Sequence, residues 1–108
     1  MPLTRSFNET VRARAARDPA FRAALFDEAI NGLLAGDADT AKAALRAYIN
    51  ATIGFEVLAK ATGTPPKSLM RMFGPTGNPT AANLFAAIKA LQKKTGVRLK
   101  VHVTSSAA

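Results

Sequence analysis

The chain has no cysteine and no tryptophan, one histidine and one tyrosine, and between residue 55 and its end a single acid, Glu56. Each scarcity excludes something. Without cysteine there are neither disulfides nor thiolate metal sites, which fits a reducing cytoplasm. His102 has no second ligand at metal spacing, so it reads as a bystander, and neither a metal nor a cofactor is expected. One isolated histidine, and carboxylates that helix caps explain, leave no nucleophile, base and orienting partner to assemble. No catalytic residue is assigned and an enzyme is not expected. No apolar run approaches the ~18 residues of a membrane span, and the N-terminus lacks the apolar segment of a signal peptide. The expectation is a cytoplasmic protein without a membrane partner.

What the chain does have is positive charge, +8 over 108 residues, and it is unevenly placed. Residues 1–36 carry five arginines against four acids, residues 37–54 balance at two and two, and residues 55–108 carry eight Lys or Arg against Glu56. That asymmetry points to a polyanion, either nucleic acid or an anionic membrane surface. A membrane-surface helix needs lysines flanking a bulky apolar face, which Phe85–Lys94 only half provides. Charge alone does not separate RNA from DNA, but there is no aromatic platform of the single-strand-binding type.

Helical spacing and its punctuation organise the rest. Met1–Arg5 shows no pattern and is expected to fray. Phe7–Ala16 suits a short helix, with Ser6 and Glu9 as a capping box and Arg12, Arg14 and Arg17 on a solvated face. Asp18 and Pro19 begin another, with Phe21, Leu25, Phe26, Ala29, Ile30, Leu33 and Leu34 at helical spacing up to Gly36. A further helix spans about Ala38–Thr52, placing Ala41, Ala44, Leu45, Tyr48 and Ile49 inward, with Asp37 and Asp39 near its positive end. Thr80 caps a helix to about Lys94, with Leu84, Phe85, Ile88 and Leu91 inward, Lys89, Lys93 and Lys94 outward, and Gly96 as its stop. Val97–Val103 alternates apolar and polar residues and reads as one half-buried strand. The expected fold is all-α: a compact bundle of about five helices containing a helix-turn-helix, with a short C-terminal β-strand. Residues 1–36 read as an N-terminal helical extension packed on the core, 37–103 as the DNA-binding domain, and 104–108 as a disordered tail.

The stretch from Gly54 to Asn78 carries the functional reading. Phe55, Leu58, Ala59 and Thr62 share one face of a short helix, which Gly63 stops. Thr64 is an N-cap candidate and Pro66 suits the first turn of a second helix, running from about Pro66 to Phe73. Two short helices joined by a glycine-containing turn form the helix-turn-helix pattern, whose second helix can enter the major groove of DNA. Leu69, Met72 and Phe73 face inward, leaving Lys67, Ser68, Met70 and Arg71 outward. An ordinary helical hairpin with a solvated basic face has the same spacing. After it, Gly74–Thr80 is dense in turn formers, and Asn78 with neighbouring amides can hold a phosphate at the start of the next helix.

Three segments, NATIGFEVLAKATG (50–63), KSLMRMFGPTGNPTAANLF (67–85) and TGVRL (95–99), resemble one family. Over about Leu45–Val101 the chain is similar to the addiction-module antidote proteins, antitoxins of the phage-repressor-like (Xre/Cro class) helix-turn-helix type. Ala59 matches the small residue packed between the two helices, Gly63 the turn glycine and Leu69 the buried anchor. Thr62 and the tandem Pro65–Pro66 depart from the pattern. The resemblance implies a dimeric repressor of its own operator in double-stranded DNA, and a small RelE-like ribonuclease toxin as a further partner. It places Thr64, Lys67, Ser68 and Arg71 at the groove, Arg71 on a base edge, and Lys67 and Lys60 on phosphate. The alternative is an interaction module that mainly sequesters the toxin, through the N-terminal helices or the Val97–Val103 strand.

Overall fold

The computed structural model describes residues 5–105, with side chains from Glu9 onward. The first helix takes in Arg5 and Ser6, so Arg5 does not fray and Ser6 stands inside the first turn and not at the cap expected of it, while residues 1–4 and 106–108 lie outside the described residues. Stretches of helical periodicity, separated where caps and prolines interrupt them, become six helices among the described residues. They are α1 (Arg5–Arg17), α2 (Pro19–Leu34), α3 (Ala38–Ala51), α4 (Gly54–Thr62), α5 (Pro66–Met72) and α6 (Ala81–Thr95). Each coincides with a stretch of helical spacing in the chain, including the division at Asp18–Pro19, and together they make one helix more than the bundle of about five. Asp18 accepts from Ala20 N at 3.1 Å and Phe21 N at 3.2 Å, Asp37 from Thr40 N at 3.2 Å, and Thr80 from Asn83 N at 3.1 Å. Each bond satisfies an amide that the first turn leaves without a helical partner.

One apolar cluster joins α2 through α6. Phe26 of α2 stacks on Tyr48 of α3 with ring centroids 4.4 Å apart, and the Tyr48 hydroxyl donates to Thr95 Oγ1 of α6 at 2.9 Å. Tyr48 is therefore a core residue with its polar tip satisfied, as its helical position suggested. Leu45, Ile49, Leu58, Leu69, Phe73 and Leu91 fill the same cluster. Helix α4 packs on α3, α5 and α6, while α1 lies against α2 and α3. Arg22 closes the α1 end by donating to Ala15 O at 2.7 Å and Ala16 O at 3.2 Å. Arg12, Arg14 and Arg17 are all exposed, and Arg14 also sits 4.6 Å over the Phe21 ring and 3.6 Å from Asp18.

Three sequence-based expectations fail, for the segment after α6 and for Leu34 and Phe85. Val97–Val103 forms no strand, and there is no strand among the described residues. A lone alternating segment has no neighbour to take its backbone amides. Instead Leu99 N donates to the Gln92 side chain at 2.9 Å, Val97 and Leu99 lean on the core, and Val101 and Val103 are exposed. Leu34 and Phe85, expected inward, are 69% and 64% exposed. Both follow a core position directly and lie roughly 100° from the centre of their helix's buried stripe. No helix among the described residues is long and apolar enough to cross a membrane.

Candidate nucleic-acid interface

The hairpin α4–α5 is built by its turn. Gly63 closes α4 with φ of 73°, in the left-handed region, and its amide donates to Ala59 O at 2.8 Å. A side chain there would meet the backbone cost that glycine avoids. Thr62, which departs from the apolar pattern, sends its hydroxyl to Leu58 O at 2.9 Å and so remains half-buried without an unmet polar group. Pro66 forces the residue before it into extended geometry, and Pro65 indeed has ψ of 144°. This shifts the start of α5 beyond Thr64. Pro65 occupies the N-cap position with no side-chain hydrogen bond, so the expected Thr64 cap is not made. Leu69 and Phe73, at 1% and 0% exposure, anchor α5 on the core.

The proposed contact residues divide into two sets. Lys67 and Arg71, four apart on one face of α5, are exposed, as is Lys60 in the last turn of α4. Thr64 and Ser68 are half-buried. Asn78 is exposed in the segment before α6, but Thr80 already takes the Asn83 amide of the first turn. Met70 is half exposed between the two cations, and no acid other than Glu56 lies on the hairpin.

Two residues of α3, absent from the sequence reading, hold the far end of α5. The Lys42 ammonium, in a residue only 8% exposed, donates to Gly77 O at 2.7 Å and Pro75 O at 3.5 Å, with Asp39 at 3.7 Å. The Arg46 guanidinium donates to Phe73 O. These charged donors take up carbonyls at the end of α5 and in the loop after it, a place where cations also meet the negative end of the helix dipole. Gly77 fits for a different reason: a Cβ there would stand 2.0 Å from Arg71 O and 2.4 Å from Met72 O. The loop folds back on α5 more closely than any side chain permits. A signal for Lys42 was present, since it lies three and seven positions before the core residues Leu45 and Ile49. A lysine on an apolar stripe requires a buried acceptor.

Among the described residues no three His, Cys, Asp or Glu side chains gather as a metal site. Asp18 and Asp37 have carboxyl pKa values held below the ordinary 3.8. The Phe21 amide is the main cause at Asp18, and hydrogen bonding from Thr40 at Asp37. Both are caps far from the basic hairpin in the chain. Besides the hairpin, an open groove of about 720 Å³ runs between α1, α2 and α3, with Val11, Leu25, Ala44 and Ala47 among its lining. Comparison of the chain with protein-family models, curated proteins and solved structures finds no match.

Proposed function

We propose that this protein is a sequence-specific double-stranded DNA-binding regulator, which reads its own operator as a dimer and acts as the repressing antitoxin of a toxin–antitoxin module. The observation that carries the DNA reading is the seating of α5. It is anchored inward by Leu69 and Phe73, tied at its end to α3, and presents Lys67 and Arg71 together on its open face. A helix fixed this firmly can offer the same two cations in the same place each time, which base recognition needs. In this mechanism Arg71 forks onto a guanine edge, and Lys67 and Lys60 neutralise phosphates. Thr64 and Ser68 add hydroxyl contacts from the margin, and Asn78 is a further phosphate contact. The antitoxin role rests on the resemblance of residues 45–101 to addiction-module antidotes.

The test is fluorescence anisotropy of the protein against the DNA upstream of its own gene and a scrambled duplex, over a salt series. Tight binding to the upstream DNA alone, persisting at physiological salt, is the expected result. Equal affinity for both duplexes would leave only a basic surface and remove the repressor reading. The second reading, sequestration of a RelE-like toxin, is favoured by the apolar groove between α1, α2 and α3. Co-expression with the product of the neighbouring reading frame tests it. A complex that Leu25→Asp or Ala47→Asp abolishes supports that reading, and no complex removes it.

A further inference from the structure

Of the eight cations in residues 55–108, the hairpin uses only Lys60, Lys67 and Arg71. The other five are Lys89, Lys93 and Lys94 on α6, and Arg98 and Lys100 after it. All five are exposed, and no ion pair joins any of them to an acid among the described residues. Lys89 and Lys93 are four apart on one face of α6, where like charges repel. The fold then brings in a third cation. Gly96 ends α6 and turns the chain, Val97 and Leu99 pack on the core, and the Leu99 amide is held by Gln92 at 2.9 Å. Arg98, between those two anchored residues, closes an open concavity of about 430 Å³ lined by Lys89, Gln92, Lys93, Gly96, Val97 and Arg98.

We propose that this concavity is a second anion site, separate from the α4–α5 hairpin, and that it holds a phosphate of a nucleic-acid backbone. Three cations converge there without a carboxylate, and Arg98 supplies a fork that matches two phosphate oxygens. No aromatic ring lines the site on which a base could stack. Its ligand is therefore the phosphate group and not a base, and its contribution to binding is the same for every sequence. The proposal extends the DNA-binding reading, but a phosphate site needs no sequence recognition by α5.

The experiment uses the full chain and the variant Lys89→Gln/Lys93→Gln/Arg98→Gln, with Lys67→Gln/Arg71→Gln beside it. The salt dependence of affinity for a random-sequence duplex is measured for each. Losing the one phosphate held in the concavity flattens the slope of log affinity against log salt by about 1, at roughly 0.9 per phosphate neutralised. The thermal midpoint of the triple variant matches or exceeds that of the parent, since it relieves repulsion. An unchanged slope in the triple variant overturns the proposal. If upstream and scrambled DNA bind alike, the operator reading fails while this measurement still stands. Inorganic phosphate is the second probe, followed by amide NMR at Lys93, Gly96 and Arg98. These resonances are expected to shift with micromolar duplex and only with millimolar phosphate. Saturation by micromolar inorganic phosphate with no response to duplex would assign the site to a free phosphate and overturn the backbone assignment.

Discussion

At Gly77 a single hydrogen in place of a methyl decides whether the loop can lie against α5. Gly77→Ala drives a carbon into Arg71 O, so the loop or the end of α5 has to move. Destabilisation of about 1–3 kcal/mol is expected, read as a lower urea midpoint. Lys42→Met keeps most of the apolar stem but removes the donor from Gly77 O and Pro75 O. Hydrogen bonds from charged groups contribute about 1.5–3 kcal/mol each at most, so a loss of about 1–3 kcal/mol is expected. Amide exchange should accelerate at Thr76 and Gly77 first. Exchange that rises evenly over the whole molecule would show that Lys42 supports the core and not the loop. Asp18 and Asp37 supply a pH test. Their folded pKa values lie below the ordinary 3.8, so their stabilisation is complete above that value and is lost as pH falls through the folded pKa. Urea midpoints should therefore fall on acidification below about pH 4. Asp18→Asn, which still caps but does not titrate, should flatten part of that fall.

At the scale of the element, the proposed DNA-binding mode gives α4 and α5 two kinds of contact. Arg71→Ala should cost about 1–3 kcal/mol on the preferred duplex and relax the preference at one base pair, whereas Lys60→Ala should weaken every duplex alike. Equal, small effects on both would refute the division of roles. The helices themselves were legible because local chemistry writes their ends: Asp18, Asp37 and Thr80 begin helices, and Gly63 and Gly96 end them, as read from the chain. Thr64 failed as a cap because the two prolines after it dictate backbone geometry more strongly than its hydroxyl does. Val97–Val103 failed as a strand because alternation reports a half-buried segment, whereas a strand also needs a neighbour. The apolar stripe marks Lys42 as buried, but the acceptors of Lys42 and Arg46 lie 27 to 35 residues away in the chain, where no local pattern reaches them.

Over the whole molecule, the hairpin depends on helices that carry none of its proposed contacts. Phe26 and Ala29 of α2 are fully buried in the same cluster as Leu58, Leu69 and Leu91, and Phe26 covers the ring of Tyr48. The radius of gyration, 13.8 Å, is close to the ~13 Å expected for a compact chain of this length. Removing residues 1–36 would strip one wall from that cluster. Truncating a buried phenylalanine alone costs about 3–5 kcal/mol, against a total stability on the order of 5–15 kcal/mol for a domain. A chain of residues 37–108 is therefore expected to lose cooperative thermal unfolding, and Phe26→Ala in the full chain to lower the midpoint sharply. Far-ultraviolet circular dichroism on melting reads both. If 37–108 melted cooperatively near the parent's midpoint, α1 and α2 would be an attachment to a self-sufficient hairpin domain. The seating of α5 would then be set by α3, α4 and α6 alone. Loss of cooperativity instead makes the N-terminal helices part of the scaffold that aims Lys67 and Arg71. In that case even conservative changes at the α2–α3 contact, such as Phe26→Leu, should reduce discrimination between duplexes before they reduce overall affinity, because phosphate contacts tolerate small shifts that base contacts do not.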